Sequence, residues 1–160
     1  MKAPLLALAL ALAGPASAAR VGEAEVRALV EHQSRAWNAG DLAAYFATFS
    51  PAARFTDQAL GNDNRIVPYG VSTLAQARAQ SRRTLASAKV HETLAIEAVS
   101  IAPDGRSARL SARAVSDITR ASVARRVCAR RIETFEFTPA GLRATGQTDT
   151  IVRCRPGAAG

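Results

Sequence analysis

An α+β domain is the fold class this sequence predicts, with helices packed on one face of a curved antiparallel sheet. Two observations point there. Helical spacing is confined to the first half, as in the stripe of Val26, Leu29, Val30, Gln33 and Trp37, apolar except for Gln33. From Val90 onward the pattern is all strand, broken by the turn signals Pro103-Asp104-Gly105 and Pro139-Ala140-Gly141.

The first helix is expected from about Gly22 to Trp37, ended by Asn38-Ala39-Gly40, where Gly supplies a left-handed cap. Asp41 then caps a second helix, Leu42 to Phe49, with Leu42, Tyr45, Phe46 and Phe49 as its apolar set; Ser50-Pro51 stops it. Ala53 to Gln58 alternates like a strand, residues 61 to 65 (GNDNR) read as a loop, and Ile66 to Tyr69 is a second short strand. Ser72 is placed to cap a third helix, roughly Thr73 to Ala88, with Leu74, Ala77 and Leu85 as core candidates. Four long strands follow: Val90 to Ile101, Ser107 to Ile118, Ser122 to Thr138, and Leu142 to Arg153.

The chain opens with Lys2, an apolar run from Leu5 to Ala13, Gly14-Pro15 and the small residues Ala16-Ser17-Ala18. That is the layout of a secretory signal peptide over residues 1–18, and the run is too short to span a bilayer. The expectation is a periplasmic or secreted protein with no membrane contact after cleavage, an uncleaved anchor being the alternative. No Cys follows the cleavage site to carry a lipid. One domain is expected over 19–156, followed by a flexible tail at 157–160. About 140 residues suffice to bury a core unaided.

Of 21 basic residues only Lys2 and Lys89 are Lys; the rest are Arg, paired at 82/83, 125/126 and 130/131. The aromatics lie mostly away from those pairs, so a solvated Arg-rich surface is expected in preference to a nucleic-acid surface, which would pair clustered charge with stacking rings. No cofactor is expected. His32 and His91 are the only histidines, and no His or Cys spacing matches a metal site. There is no phosphate loop and no nucleophile elbow. Cys128 and Cys154 are the only cysteines; in an exported chain they suit one disulfide, two buried thiols being the alternative.

Strand parity sharpens that expectation. A turn at Pro139-Ala140 pairs Phe137 with Leu142 and Val127 with Val152, which leaves Cys154 on the face opposite Cys128. A disulfide therefore requires a one-residue slip, most simply a β-bulge between Cys128 and Phe135. Such a bulge is expected to turn Arg130 inward in place of Arg131.

The candidate site rests on two acids. Phe55, Asp57 and Ala59 share one strand face; on a concave apolar face Asp57 would be desolvated, its pKa raised, and it would be fit for general acid–base work. Contact with a ligand, or pairing with a nearby Arg, are the other roles open to it. Glu133, Phe135 and Phe137 also share a face, and a buried Glu needs a partner. An inward Arg131 or Arg130 either neutralises Glu133 or Asp57, the favoured reading, or binds an anionic ligand. Trp37, Tyr45, Phe46 and Phe49 are candidate cavity walls, core packing being the commoner role of helical aromatics, and Tyr69 is a candidate for the cavity mouth.

The order of helix, Asn38-Ala39-Gly40-Asp41 turn, short aromatic helix, Phe55-Thr56-Asp57 strand, third helix and four long strands resembles the NTF2-like superfamily, which includes SnoaL-like proteins and ketosteroid isomerases. The resemblance runs from about Val21 to Arg153. It implies a cone with an internal cavity between three helices and the sheet. It places Asp57 where the isomerases keep the Asp that moves a proton, and Glu133 where they keep a neutral Asp that hydrogen-bonds the developing oxyanion. Their first-helix Tyr is replaced by Gln33, a weaker donor, and Glu133 is one methylene longer than Asp.

The function expected is binding of a small, partly apolar ligand by Gln33, Trp37, Tyr45, Phe46, Phe55, Tyr69, Arg131 and Phe135. An isomerase or hydrolase using Asp57 as base, with Glu133 and Gln33 as polar partners, is the second possibility. The third is an interaction domain that forms a homodimer through the outer face of its sheet.

Overall fold

The computed structural model describes residues 20–154. The signal peptide expected over 1–18, and the tail expected over 157–160, lie outside them. Three helices and six strands follow in the order α1 (Glu23–Asn38), α2 (Leu42–Ala47), β1 (Phe49–Leu60), β2 (Ile66–Thr73), α3 (Leu74–Ser87), β3 (Lys89–Ile101), β4 (Ser107–Arg120), β5 (Val123–Thr138) and β6 (Gly141–Val152). The strands form one sheet ordered β2-β1-β6-β5-β4-β3. Every pairing is antiparallel except β1 with β6. Among the described residues no helix is long and apolar enough to cross a membrane.

Helix α1 begins at Gly22, whose N–H donates to the Glu25 carboxylate at 3.0 Å, and it buries Val26, Val30, Gln33 and Ala36. Gly40, at φ 73°, makes the turn that a residue with a Cβ would resist. Asp41 then accepts from the Ala44 N–H at 2.9 Å and starts α2. The core joins Val26 and Val30 to Tyr45, Phe46, Phe49, Phe55, Leu110, Phe135 and Ala144.

Some boundaries differ from the sequence expectation. Helix α2 ends at Ala47, and Phe49 already belongs to β1, which runs on through Pro51 because an irregularity between Phe49 and Arg54 relieves that stretch of ladder pairing. Strand β2 extends to Thr73, pairing Ser72 with Phe55, so Thr73 and not Ser72 caps α3; its hydroxyl accepts from the Gln76 N–H and the Gln76 side chain accepts in return. No residue of α3 is fully buried.

Cys128 and Cys154 form the disulfide. The required slip lies between Thr134 and Phe135, where Phe135 faces Ala144 but Thr134 faces Gly146. The extra residue is thus Thr145, on β6, while β5 keeps regular alternation: Ala129, Arg131, Glu133 and Phe135 are buried and Arg130 is exposed. The expected inward turn of Arg130 is therefore corrected. A bulge re-aims the strand that carries the extra residue, and that strand is β6. The outer face carries Arg109, Arg113, Asp117, Arg126 and Arg130, with Arg126 paired to Asp117 and Arg113 to Glu97, each at 2.7 Å.

Candidate functional site

The inner face of the sheet presents its polar groups in a row. Asp57 on β1 faces Asp149 on β6, which faces Arg131 on β5, which faces Ala112 on β4. One register step on, Phe55, Gln147, Glu133 and Leu110 form the next row of that face. The methyl side chains of Ala112 and Ala114 leave room for the Arg131 guanidinium to cross β4 and reach Glu92 on β3.

Arg131 holds two carboxylates at once. Its Nε donates to Asp149 Oδ1 at 2.8 Å, its Nη1 to Glu92 Oε1 at 2.7 Å, and its Nη2 to both Asp149 Oδ2 and Glu92 Oε2 at 3.1 Å. Glu92 is fixed from behind. Its backbone exchanges two 2.8 Å hydrogen bonds with the Asn38 side chain at the end of α1, and Ser116 donates to Oε2 at 3.2 Å. Asp149 also accepts from Gln147 Nε2 at 2.8 Å, and Gln147 Oε1 accepts from the Tyr45 hydroxyl at 3.0 Å. Burial opposes the Arg131 charge, but Asp149 and Glu92 more than offset it and hold the guanidinium protonated. Burial pushes Tyr45 far above the ordinary phenol range, so its hydroxyl remains a donor.

Above this network lies a cavity of about 230 Å³. Trp37, Tyr45, Phe46 and Phe55 form its aromatic wall, α3 adds Ala77, Gln80, Ser81 and Thr84, and Glu92, Arg131, Gln147 and Asp149 line its polar side. The rings pack tightly: Trp37 and Tyr45 have centroids 5.2 Å apart, and Phe49 and Phe55 4.8 Å. Trp37 Nε1 is buried and, among the described residues, has no hydrogen-bond partner. Asp57 stands exposed on the cavity lining, without an ion pair or side-chain hydrogen bond among the described residues. Partial burial, and then the neighbouring Asp149, raise its pKa above the usual aspartate value, with Arg131 opposing.

Glu133 and Gln33 sit apart from this cavity. Gln33 Nε2 donates to Glu133 Oε1 at 2.7 Å and to the Thr48 hydroxyl at 3.0 Å, and Thr48 in turn donates to the Tyr45 carbonyl at 2.6 Å. Glu133 is 1% exposed, and its pKa is pushed up to about 7, by burial first; Gln33 and Arg131 pull the other way. It therefore keeps its proton in mildly acidic solution and is about half protonated at pH 7.

The structure thus gathers Trp37, Tyr45, Phe46, Phe55, Asp57 and Arg131 around one space. It sets Glu133, Gln33 and Phe135 in the core outside that lining, and leaves Tyr69 67% exposed on β2, where the pairing skips it between Pro68 and Gly70. The expected partners of Arg131 are also corrected: the guanidinium closes on Glu92 and Asp149, while Glu133 takes its hydrogen bond from Gln33. The sequence reading missed Glu92, Gln147 and Asp149. The alternation of Gln147 and Asp149 along β6 was the available signal, and it acquires meaning only once the Thr145 bulge sets their partners. Among the described residues no group of His, Cys, Asp or Glu could hold a metal ion.

No family model matches the chain, and no curated protein matches it in sequence. Solved structures do match in shape. A ketosteroid isomerase-like protein from Erwinia carotovora atroseptica aligns with TM-score 0.65 at 10% identity, over 82% of this chain and 96% of its own. An NTF2-like protein with a cystatin-like fold from Novosphingobium aromaticivorans aligns with TM-score 0.59 at 16% identity, over 84% of both chains. The β subunit of a putative aromatic-ring-hydroxylating dioxygenase from the same organism aligns with TM-score 0.63 at 13% identity, over 83% of this chain and 90% of its own. With three helices on a curved six-stranded sheet, the chain has the NTF2-like fold.

Proposed function

We propose that this protein binds a small, partly apolar ligand in the cavity between its helices and its sheet. The observation that carries the reading is a 230 Å³ space, aromatic on one side and polar on the other, whose lining residue Trp37 has an indole N–H that is buried and, among the described residues, without a partner. A buried donor left unpaired costs roughly 1–3 kcal/mol, and an acceptor on a ligand would recover it. An engineered cavity of roughly 150 Å³ holds benzene, so this one suits a ligand of about ten non-hydrogen atoms. A thermal-shift screen of small compounds against the wild type and Ala77→Phe, which fills the space from α3, tests the reading. Hits that stabilise only the wild type support it; hits indifferent to Ala77→Phe sink it.

A second reading makes Asp57 a general base. Its raised pKa and its lack of an Arg ion pair among the described residues favour this, and a ketosteroid isomerase-like protein shares the fold. Asp57 would take a proton from the ligand or from a water, and the protonated Glu133 with Gln33 would support Tyr45 through Thr48. If cavity ligands with an acidic C–H exchange it for deuterium in D2O with wild type but not with Asp57→Asn, chemistry is established; equal exchange with both proteins excludes Asp57.

Export of the chain accords with the disulfide, which persists in oxidising compartments. For the homodimer expected from the sequence, the exposed apolar residues Ile66, Val67, Tyr69 and Val71 of β2, 48–67% exposed, offer a surface in addition to the charged outer face. Sedimentation of wild type against Val71→Lys reads this out.

A further inference from the structure

We propose that the ligand of this cavity is a cation, an amine carrying an oxygen acceptor, with its ammonium at Asp57 and Asp149 and its oxygen on Trp37 Nε1. The inference rests on the cavity-binding reading above and adds the charge of the ligand.

Among the described residues, the ionisable side chains of the lining are Asp57, Glu92, Asp149, Arg131 and the phenol of Tyr45. Arg131 is the one cation among them, and its charge is already committed: Nε and both terminal nitrogens donate to Glu92 or Asp149 at 2.7–3.1 Å. An anionic ligand would have to displace one of these carboxylates, and it would meet two more negative groups than positive ones. A cation meets the reverse. Asp57 and Asp149 are register partners on adjacent strands, on the same face. Like charges in that position repel, and a cation between them relieves the repulsion. Glu92 is drawn away from the pair by Arg131, Asn38 and Ser116.

The aromatic wall fits the same ligand. Trp37, Tyr45, Phe46 and Phe55 line the space beside the carboxylates, and ring faces attract an ammonium while also packing its alkyl or aryl part. A bare metal ion would use neither the rings nor the indole N–H. Trp37 Nε1, buried and without a partner among the described residues, is a donor for an oxygen acceptor on that ligand. The ligand therefore combines an amine, an apolar body and an oxygen acceptor.

Three probes of one shape test the charge: 2-phenylethylamine, 2-phenylethanol and phenylacetate, titrated calorimetrically at pH 7 into the chain from residue 19. The expected result is that the amine binds at least tenfold tighter than the alcohol, that phenylacetate binds weakest, and that Asp57→Asn removes at least fivefold of the preference for the amine while leaving the alcohol unchanged. Methoxy-substituted phenylethylamine should gain affinity over the parent in the wild type and lose that gain in Trp37→Phe. If the alcohol or phenylacetate binds as tightly as the amine, and Ala77→Phe abolishes that binding, the cation inference is overturned while the cavity reading stands. If none of the probes binds, the cavity reading itself fails and takes the inference with it.

Discussion

Glu133→Gln should stabilise this protein at alkaline pH and leave it unchanged in acid. Glu133 is fully buried beside Gln33, and its carboxyl titrates near 7 in the folded chain against 4.5 when free. Between those values the folded state holds a proton that the unfolded state has released. Stability therefore falls as pH rises from 4.5 to about 7 and is level beyond. At about 1.4 kcal/mol per pH unit the wild type loses about 3 kcal/mol across that window. Glutamine carries no charge in either state and keeps an Oε1 acceptor for the Gln33 Nε2 donor. The stability gap between variant and wild type should thus open from near zero at pH 4.5 to about 3 kcal/mol at pH 8, a difference in Tm of roughly 10 °C for a domain of this size. Asp57, also raised, contributes with the same sign in both proteins and cancels in the comparison. Urea unfolding of both proteins at half-unit pH steps measures the gap directly. A gap that does not change with pH, or a variant less stable than wild type at pH 8, would refute the reasoning.

Other substitutions probe the network and its frame. Arg131→Met leaves the buried Glu92 and the half-buried Asp149 uncompensated, and should cost about 3–5 kcal/mol in urea unfolding; adding Glu92→Gln and Asp149→Asn should recover part of the loss, and failure to recover any would show that the arginine acts by packing alone. Replacing Cys128 and Cys154 together by Ser opens a loop of sequence separation 26 and should lower unfolding stability by about 3.5 kcal/mol on the chain-entropy account; a loss under about 1 kcal/mol would mean that the strand pairing of β5 with β6 already fixes those ends. Asn38→Ala removes both hydrogen bonds to the Glu92 backbone and should cost about 2 kcal/mol, with faster amide exchange at Glu92 as its local signature.

Much of the fold was legible because its signals are local. Helical spacing from Val26 to Trp37, the Gly40-Asp41 turn and the Pro-containing turns before β4 and β6 each set a boundary within a few residues. The errors fall where pairing overrides local preference. Ser72 is a good cap by type, yet its backbone pairs with Phe55 and the cap passes to Thr73. Phe49 completes an apolar helical stripe but opens β1. The site shows the same division. Cysteine parity called for a one-residue slip, expected as a bulge between Cys128 and Phe135 that would turn Arg130 inward, but parity alone does not say which strand carries the extra residue. Placing it at Thr145 keeps Arg131 inward and sets Asp149 opposite it, where an unbroken register would set Thr148. Glu92 was out of reach for a different reason: it lies two strands from Arg131, and only the small Ala112 and Ala114 between them allow the contact.

The most direct test of the central claim is a crystal structure of the chain soaked with small amines and alcohols of about ten non-hydrogen atoms. Ligand density is expected between Trp37 and Asp57, with an acceptor within hydrogen-bond distance of Trp37 Nε1 and Arg131 still closed on Glu92 and Asp149. An empty space narrowed by α3, with every compound bound elsewhere on the surface, would contradict it.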